Sequence, residues 1–151
     1  EELSPCDELV LGTLPPSREV LQKALQACEP ERVHVVGLPP TTAGLEGFAR
    51  RLLGLCKHAI QSRKAAPLSK LAAAMGHEER TVRLGLRWLE ERGQIHVEQV
   101  EEGLKIEPGP GAGEADPTLE RALKEALQEA RAFRKYALQG SGPLTERPAA
   151  E

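Results

Sequence analysis

One stretch constrains the fold of this 151-residue chain more than any other. It is LSKLAAAMGHEERTVRLGLRWLEERGQIHVEQVEEGLKIEPG, Leu68 to Gly109. Leu68, Leu71, Ala72 and Met75 recur at helical spacing, and Gly76 turns the chain. Val82, Leu86 and Leu89 then form the inward stripe of a longer helix with Trp88 beside it, and Gly93 fits a left-handed helix stop. QIHVEQV and LKIE read as two strands around EEG. Upstream, Leu45, Phe48, Ala49, Leu52, Leu53, Cys56, Ala59 and Ile60 mark an amphipathic helix, with Arg50, Lys57 and His58 off its apolar face.

Helix, helix–turn–helix, hairpin is the order of a winged helix-turn-helix, whose second helix often enters a DNA groove. Here that helix opens with HEER. Glu78 and Glu79 occupy the end where the helix dipole would otherwise favour a phosphate. Arg80, Arg83 and Arg87 follow at i, i+3 and i+7 and share one face. A second basic group, Arg50, Lys57, Arg63 and Lys64, lies in a segment (45–75) of net charge +5, although the whole chain carries −3. No aromatic residue interleaves with it, so base stacking is not expected there. Three uses are open for these candidate contact residues: a solvated face with helix-capping acids, phosphate contact, or docking of an acidic protein partner.

Ahead of this region the chain reads as a small βαβ lobe. Glu8 to Ser17 opens with an apolar run that predicts a short buried strand ending near Leu14, before Pro15-Pro16. Ser17 can cap a helix carrying Val20, Leu21, Ala24, Leu25 and Cys28, which Pro30 ends. RVHVVGL, Arg32 to Leu38, predicts a strand parallel to the first across a right-handed connection. The turn after the first strand, TLPPS, is proline-rich where a nucleotide site needs glycines and free amides. Downstream, PGPGAGEAD (Pro108 to Asp116) has the composition of a flexible linker. Asp116 caps and Pro117 opens a last helix with a stripe of Leu119, Ala122, Leu123, Ala126, Leu127, Ala130 and Phe133, ending near Leu138. The expected fold class is α/β (α+β). Its parts are a βαβ lobe (1–44), a winged-helix-like lobe (45–109), a linker (110–116), a C-terminal helix (117–139) and a flexible tail (140–151).

The side chains point to surfaces and away from catalysis. Asp7 and Asp116 are the only aspartates, and His34, His58, His77 and His96 are isolated, with no acidic neighbours at metal spacing. His34 and His96 fall in strands and read as structural. No serine or cysteine sits in a motif that would activate it. Glu120, Lys124, Glu125 and Glu129 read as a solvated helix face. The three cysteines, Cys6, Cys28 and Cys56, are odd in number and widely spaced, which speaks against a disulfide framework or a zinc knuckle. Cys28 and Cys56 read as small buried hydrophobes. At 40% hydrophobic and 28% charged, the composition is that of a soluble globular chain with no membrane span or secretory leader, so a cytoplasmic location is expected. Residue 1 is Glu, and a fragment of a larger protein is the expectation.

The segments LVLGTLPPSREVLQKAL, PERVHVVGL, TVRLGLRWLEERG and LQEARAFRKY, in that order, resemble the C-terminal region of bacterial RecJ-type exonucleases of the DHH phosphoesterase family. The resemblance spans about Leu9 to Leu138. It implies a parent enzyme that degrades single-stranded DNA from the 5′ end with Mn or Mg, in DNA repair and recombination. The family's Asp-His-His motif is not in these residues, so no catalytic residue or metal ligand carries over. What the resemblance implies for this segment is an accessory domain that docks a single-strand-binding or other repair protein, or adds a DNA contact. The alternative is a stand-alone winged-helix transcription regulator, with RALKEALQEARAF as a dimer helix.

Overall fold

The structure is a computed structural model and describes residues 4–36 and 44–139. It is mixed α and β, with a long C-terminal helix. The described residues contain strands β1 (Glu8–Leu11) and β2 (Arg32–Val35) with helix α1 (Arg18–Cys28) between them. Helices α2 (Gly44–Ser62), α3 (Leu68–Met75) and α4 (Glu79–Glu91), strands β3 (Ile95–Val100) and β4 (Gly103–Pro108), and helix α5 (Pro117–Leu138) follow. They fall into two compact units. One holds the described residues up to 36 together with those from Glu129 onward; the other runs from residue 44 to Gln128. The compact units therefore divide the last helix, where the sequence suggested a separate element.

In the first unit β1 and β2 pair in parallel, with Glu8 opposite Arg32 and Val10 opposite His34. Ser17 caps α1 as expected, its hydroxyl accepting from the Val20 amide at 3.4 Å. The expectation of a buried first strand is corrected. β1 stops at Leu11 and alternates exposed and half-buried residues, and Val10 is 62% exposed. A continuous apolar run signals burial on both faces only when both faces are covered. The second strand ends at Val35; Gly37 and Leu38, expected within it, lie outside the described residues. The same holds for residues 39–43 at the end of the expected βαβ lobe and for the tail 140–151.

In the second unit the core is a single cluster. Phe48, Leu52 and Cys56 from α2, Met75 from α3, Val82 and Leu89 from α4, Ile95 from β3 and Leu123 from α5 are almost wholly buried. Each leucine or isoleucine so buried contributes roughly 1.5–3 kcal/mol. Helices α3 and α4 both end in the same hydrogen-bonded motif. Gly76 (φ 66°) and Gly93 (φ 70°) take the left-handed position, and the next amides, His77 and Gln94, reach back to the Ala72 and Leu89 carbonyls. Strands β3 and β4 form an antiparallel hairpin around Glu101-Glu102, and Ala66, between α2 and α3, adds a bridge to Leu104. The helix order and hairpin are those of a winged helix-turn-helix.

Two further expectations change. The Gly/Pro-rich segment after β4 is not a loose linker but is laid against the end of α4. Gly109 and Gly111 donate to the Gln94 and Gly93 carbonyls, and the Asp116 amide donates to Glu91 Oε2 at 2.9 Å. A Cβ at Gly113 would collide with the Glu91 carbonyl. Glycine is there for close backbone approach, which composition does not distinguish from flexibility. Glu78 also does not cap α4 through its side chain; only its carbonyl serves, accepting from the Val82 amide. Among the described residues no helix is long and apolar enough to cross a membrane.

Candidate functional site

The candidate residues sit on two separate surfaces of the second unit. Helix α4 buries Val82, Gly85, Leu86 and Leu89, and Gly85 faces Phe48 and Leu52 of α2. Arg80, Arg83 and Arg87 lie on the opposite side of α4 and are exposed. On α2 the buried face is Phe48, Leu52, Cys56 and Ala59, while Arg50 and Lys57 are exposed on the other side. Helical periodicity therefore directs the two basic groups away from each other, outward from the packed helix pair. Arg63 and Lys64 lie just past the end of α2, and Arg63 is in the left-handed conformation at φ 53°.

Not all of these cations are equally available. Arg50 is held by Glu46 one turn earlier, Nη2 to Oε1 at 2.9 Å. Arg87 Nε lies 3.3 Å from Glu91 Oε1. Arg80, Arg83, Lys57, Arg63 and Lys64 have no ion pair among the described residues. Arg51, in the same positive segment, closes the fold instead: its Nη2 donates to the Ala74 carbonyl at the end of α3, at 2.8 Å.

The hairpin that would serve as a wing is acidic. Glu101 and Glu102 form its exposed tip. Behind them, Lys105 Nζ lies 2.8 Å from Glu107 and 3.8 Å from Glu98. Hydrogen bonding to Glu107 raises the Lys105 ammonium above its ordinary value, and Lys105 holds the Glu107 carboxyl below its own. The one cation of the wing is thereby occupied.

A third constellation was not visible in the sequence. Arg92 stacks on the Trp88 ring at 4.7 Å, and Trp88 Nε1 donates to Glu120 Oε2 at 3.3 Å. Glu120 also takes Lys124 Nζ at 2.6 Å. These bonds, Lys124 first and then Trp88, hold the Glu120 carboxyl below the ordinary carboxylate value. Around them lies a cavity of about 400 Å³ lined by Arg92, Arg121, Lys124, Glu114 and Glu120. Glu90 and Glu91 are also engaged. Glu90 accepts from the Val97 amide at 2.9 Å and its Oε1 lies 2.9 Å from His96 Nδ1, and Glu91 accepts from the Asp116 amide. The residues WLEER thus tie α4 to β3 and to the start of α5. The sequence signal was the helical i, i+4 spacing of Trp88 and Arg92, and it does not name Glu120.

Among the described residues no group of three or more His, Cys, Asp or Glu side chains could hold a metal ion. No family model, curated protein or solved structure matches this chain.

Proposed function

We propose that this chain is the C-terminal accessory domain of a single-stranded-DNA-specific 5′–3′ exonuclease acting in DNA repair and recombination in the cytoplasm. In this reading it docks a partner and adds an auxiliary contact to the DNA backbone, while hydrolysis with Mn or Mg belongs to a catalytic core in the parent enzyme. The ordered resemblance of LVLGTLPPS, PERVHVVGL and LQEARAFRKY to RecJ-type enzymes supports it.

The observation that carries the reading is the charge layout of the second unit. Arg80 and Arg83 are exposed and side by side on the outer face of α4, with no carboxylate paired to them among the described residues. The two points that would enter a groove, the start of α4 and the tip of the hairpin, both carry glutamates: Glu78-Glu79 and Glu101-Glu102. Such a surface favours a phosphate chain or an acidic peptide running along the helix over base edges read from its end. It argues against a sequence-reading regulator for the same reason.

The test is fluorescence anisotropy of a labelled oligothymidylate across a salt series, with wild type and Arg80→Ala/Arg83→Ala. Binding is expected at low salt, weakening by about 0.7 log units per log unit of salt for each phosphate engaged. The double substitution should flatten that slope by up to about 1.4. An unchanged slope, or no binding of single strands at low salt, overturns the DNA contact. Tighter binding of a palindromic duplex by a dimer would instead establish the regulator reading.

A further inference from the structure

The three cysteines, far apart in sequence, differ sharply once folded. Cys56 is wholly buried in the core of the second unit, and desolvation pushes its thiol up to about 12. Cys6 and Cys28 belong together in the first unit. The Cys6 amide donates to the Cys28 carbonyl at 2.9 Å, and the Glu31 and Arg32 amides both donate to the Asp7 carbonyl, at 2.9 and 3.1 Å. These bonds hold Pro5-Cys6-Asp7 alongside the end of α1 and the start of β2. A backbone bond of this kind holds the two residues side by side, as a disulfide requires with its Cα atoms about 4.4–6.8 Å apart. The Cys28 thiol is near enough to Cys6 to act on the Cys6 thiol. Glu29, in the left-handed conformation at φ 44°, closes α1 directly after Cys28.

We propose that Cys6 and Cys28 form a thiol–disulfide exchange site, open to small-molecule disulfides, that closes into an intrachain disulfide. Exposure orders the two steps. Cys6 is partly exposed and Cys28 is 2% exposed, so attack begins at Cys6. The Cys6 thiolate displaces one thiolate from the small disulfide and forms a mixed disulfide. The Cys28 thiolate then attacks the Cys6 sulfur and displaces the second. Two protein thiols are oxidised by two electrons, the small disulfide is reduced to two thiols, and their protons come from Cys6 and Cys28. Partial desolvation, then the adjoining Cys28 thiol and Asp7, raise the Cys6 thiol above its ordinary value. Exchange is therefore slow at neutral pH and quickens as pH rises. The product fastens the segment ahead of β1 to the end of α1.

The test treats the folded chain with excess 2-hydroxyethyl disulfide between pH 7 and 9 and reads intact mass, peptide maps and amide exchange. Wild type should lose the mass of two hydrogens, with a 6–28 crosslink, a Cys56 thiol still free, and a rate that climbs with pH. Closing a loop of about 20 residues should slow opening of this segment roughly 100-fold by amide exchange. Cys28→Ser should stop at one mercaptoethanol adduct on Cys6. A persistent adduct on wild type, a crosslink that includes Cys56, or three unreacted thiols in the folded chain while the urea-unfolded chain reacts would each overturn the proposal.

Discussion

Gly85 is the position where the structure makes the sharpest demand on the sequence. It lies mid-helix in α4, where alanine ordinarily gains about 1 kcal/mol over glycine. An added Cβ would stand 2.5 Å from Phe48 Cε1 and 2.8 Å from Leu52 Cδ2. Carbon atoms prefer about 3.5–4.0 Å, so the Phe48 ring must retreat by about 1 Å. It has little room to do so. Phe48 is wholly buried and its ring sits edge-on to His77, centroids 5.2 Å apart at 84°. Overpacking of this kind costs about 1–3 kcal/mol. Against the propensity gain, Gly85→Ala should lose up to about 2 kcal/mol net and lower Tm by up to about 8 °C. Trp88 is the only tryptophan and is buried on α4, so its fluorescence follows this unit. Gly54→Ala is the internal comparison. Gly54 is mid-helix in α2, exposed, with nothing within 4 Å of its added Cβ, and should gain about 0.5–1 kcal/mol. If Gly85→Ala melts above wild type, as Gly54→Ala should, the close approach of α2 to α4 is refuted. The coupling can be read separately: Phe48→Leu should cost less in the Gly85→Ala background than in wild type.

Three other outcomes are expected. Cys56, buried and raised to about 12, should resist iodoacetamide at pH 8 in the folded chain and react once urea unfolds it, as read by peptide mapping. Glu120→Gln should melt lower than wild type at pH 6–7. Because the folded-state carboxyl is held below its ordinary value, that stabilisation is present above about pH 4.3 and is lost as pH falls through the folded value, so the two melting curves should converge in acid. Glu101→Lys/Glu102→Lys should leave the unfolding free energy within about 0.5 kcal/mol of wild type, since both side chains are exposed, and should raise affinity for oligothymidylate in the anisotropy assay if the tip approaches phosphates.

Much of the second unit is legible from residue spacing. Phe48, Leu52 and Cys56 mark the buried side of α2, and Val82, Leu86 and Leu89 that of α4, because an amphipathic helix must hide its apolar stripe whatever it packs against. The glycine stops at 76 and 93 are equally local, set by a backbone conformation that other residues resist. The half-exposed β1 escaped this reading because Leu9-Val10-Leu11 would look the same in a covered sheet. So did the segment from Gly109 to Asp116, whose glycines serve tight packing on α4.

The candidate site divides along the same line. Sequence alone placed Arg80, Arg83 and Arg87 on one face, since i, i+3 and i+7 share a side of any α-helix. It could not say that Arg50 and Arg87 are held by their own helices' glutamates, or that Arg51 caps α3. It also could not pair Trp88 with Glu120, 32 residues away, or Cys6 with Cys28. The order of helices and strands follows from local periodicity and turn chemistry, which each segment carries by itself. Which polar and sulfur atoms meet depends on the packing of segments remote in sequence, and only the tertiary structure decides that.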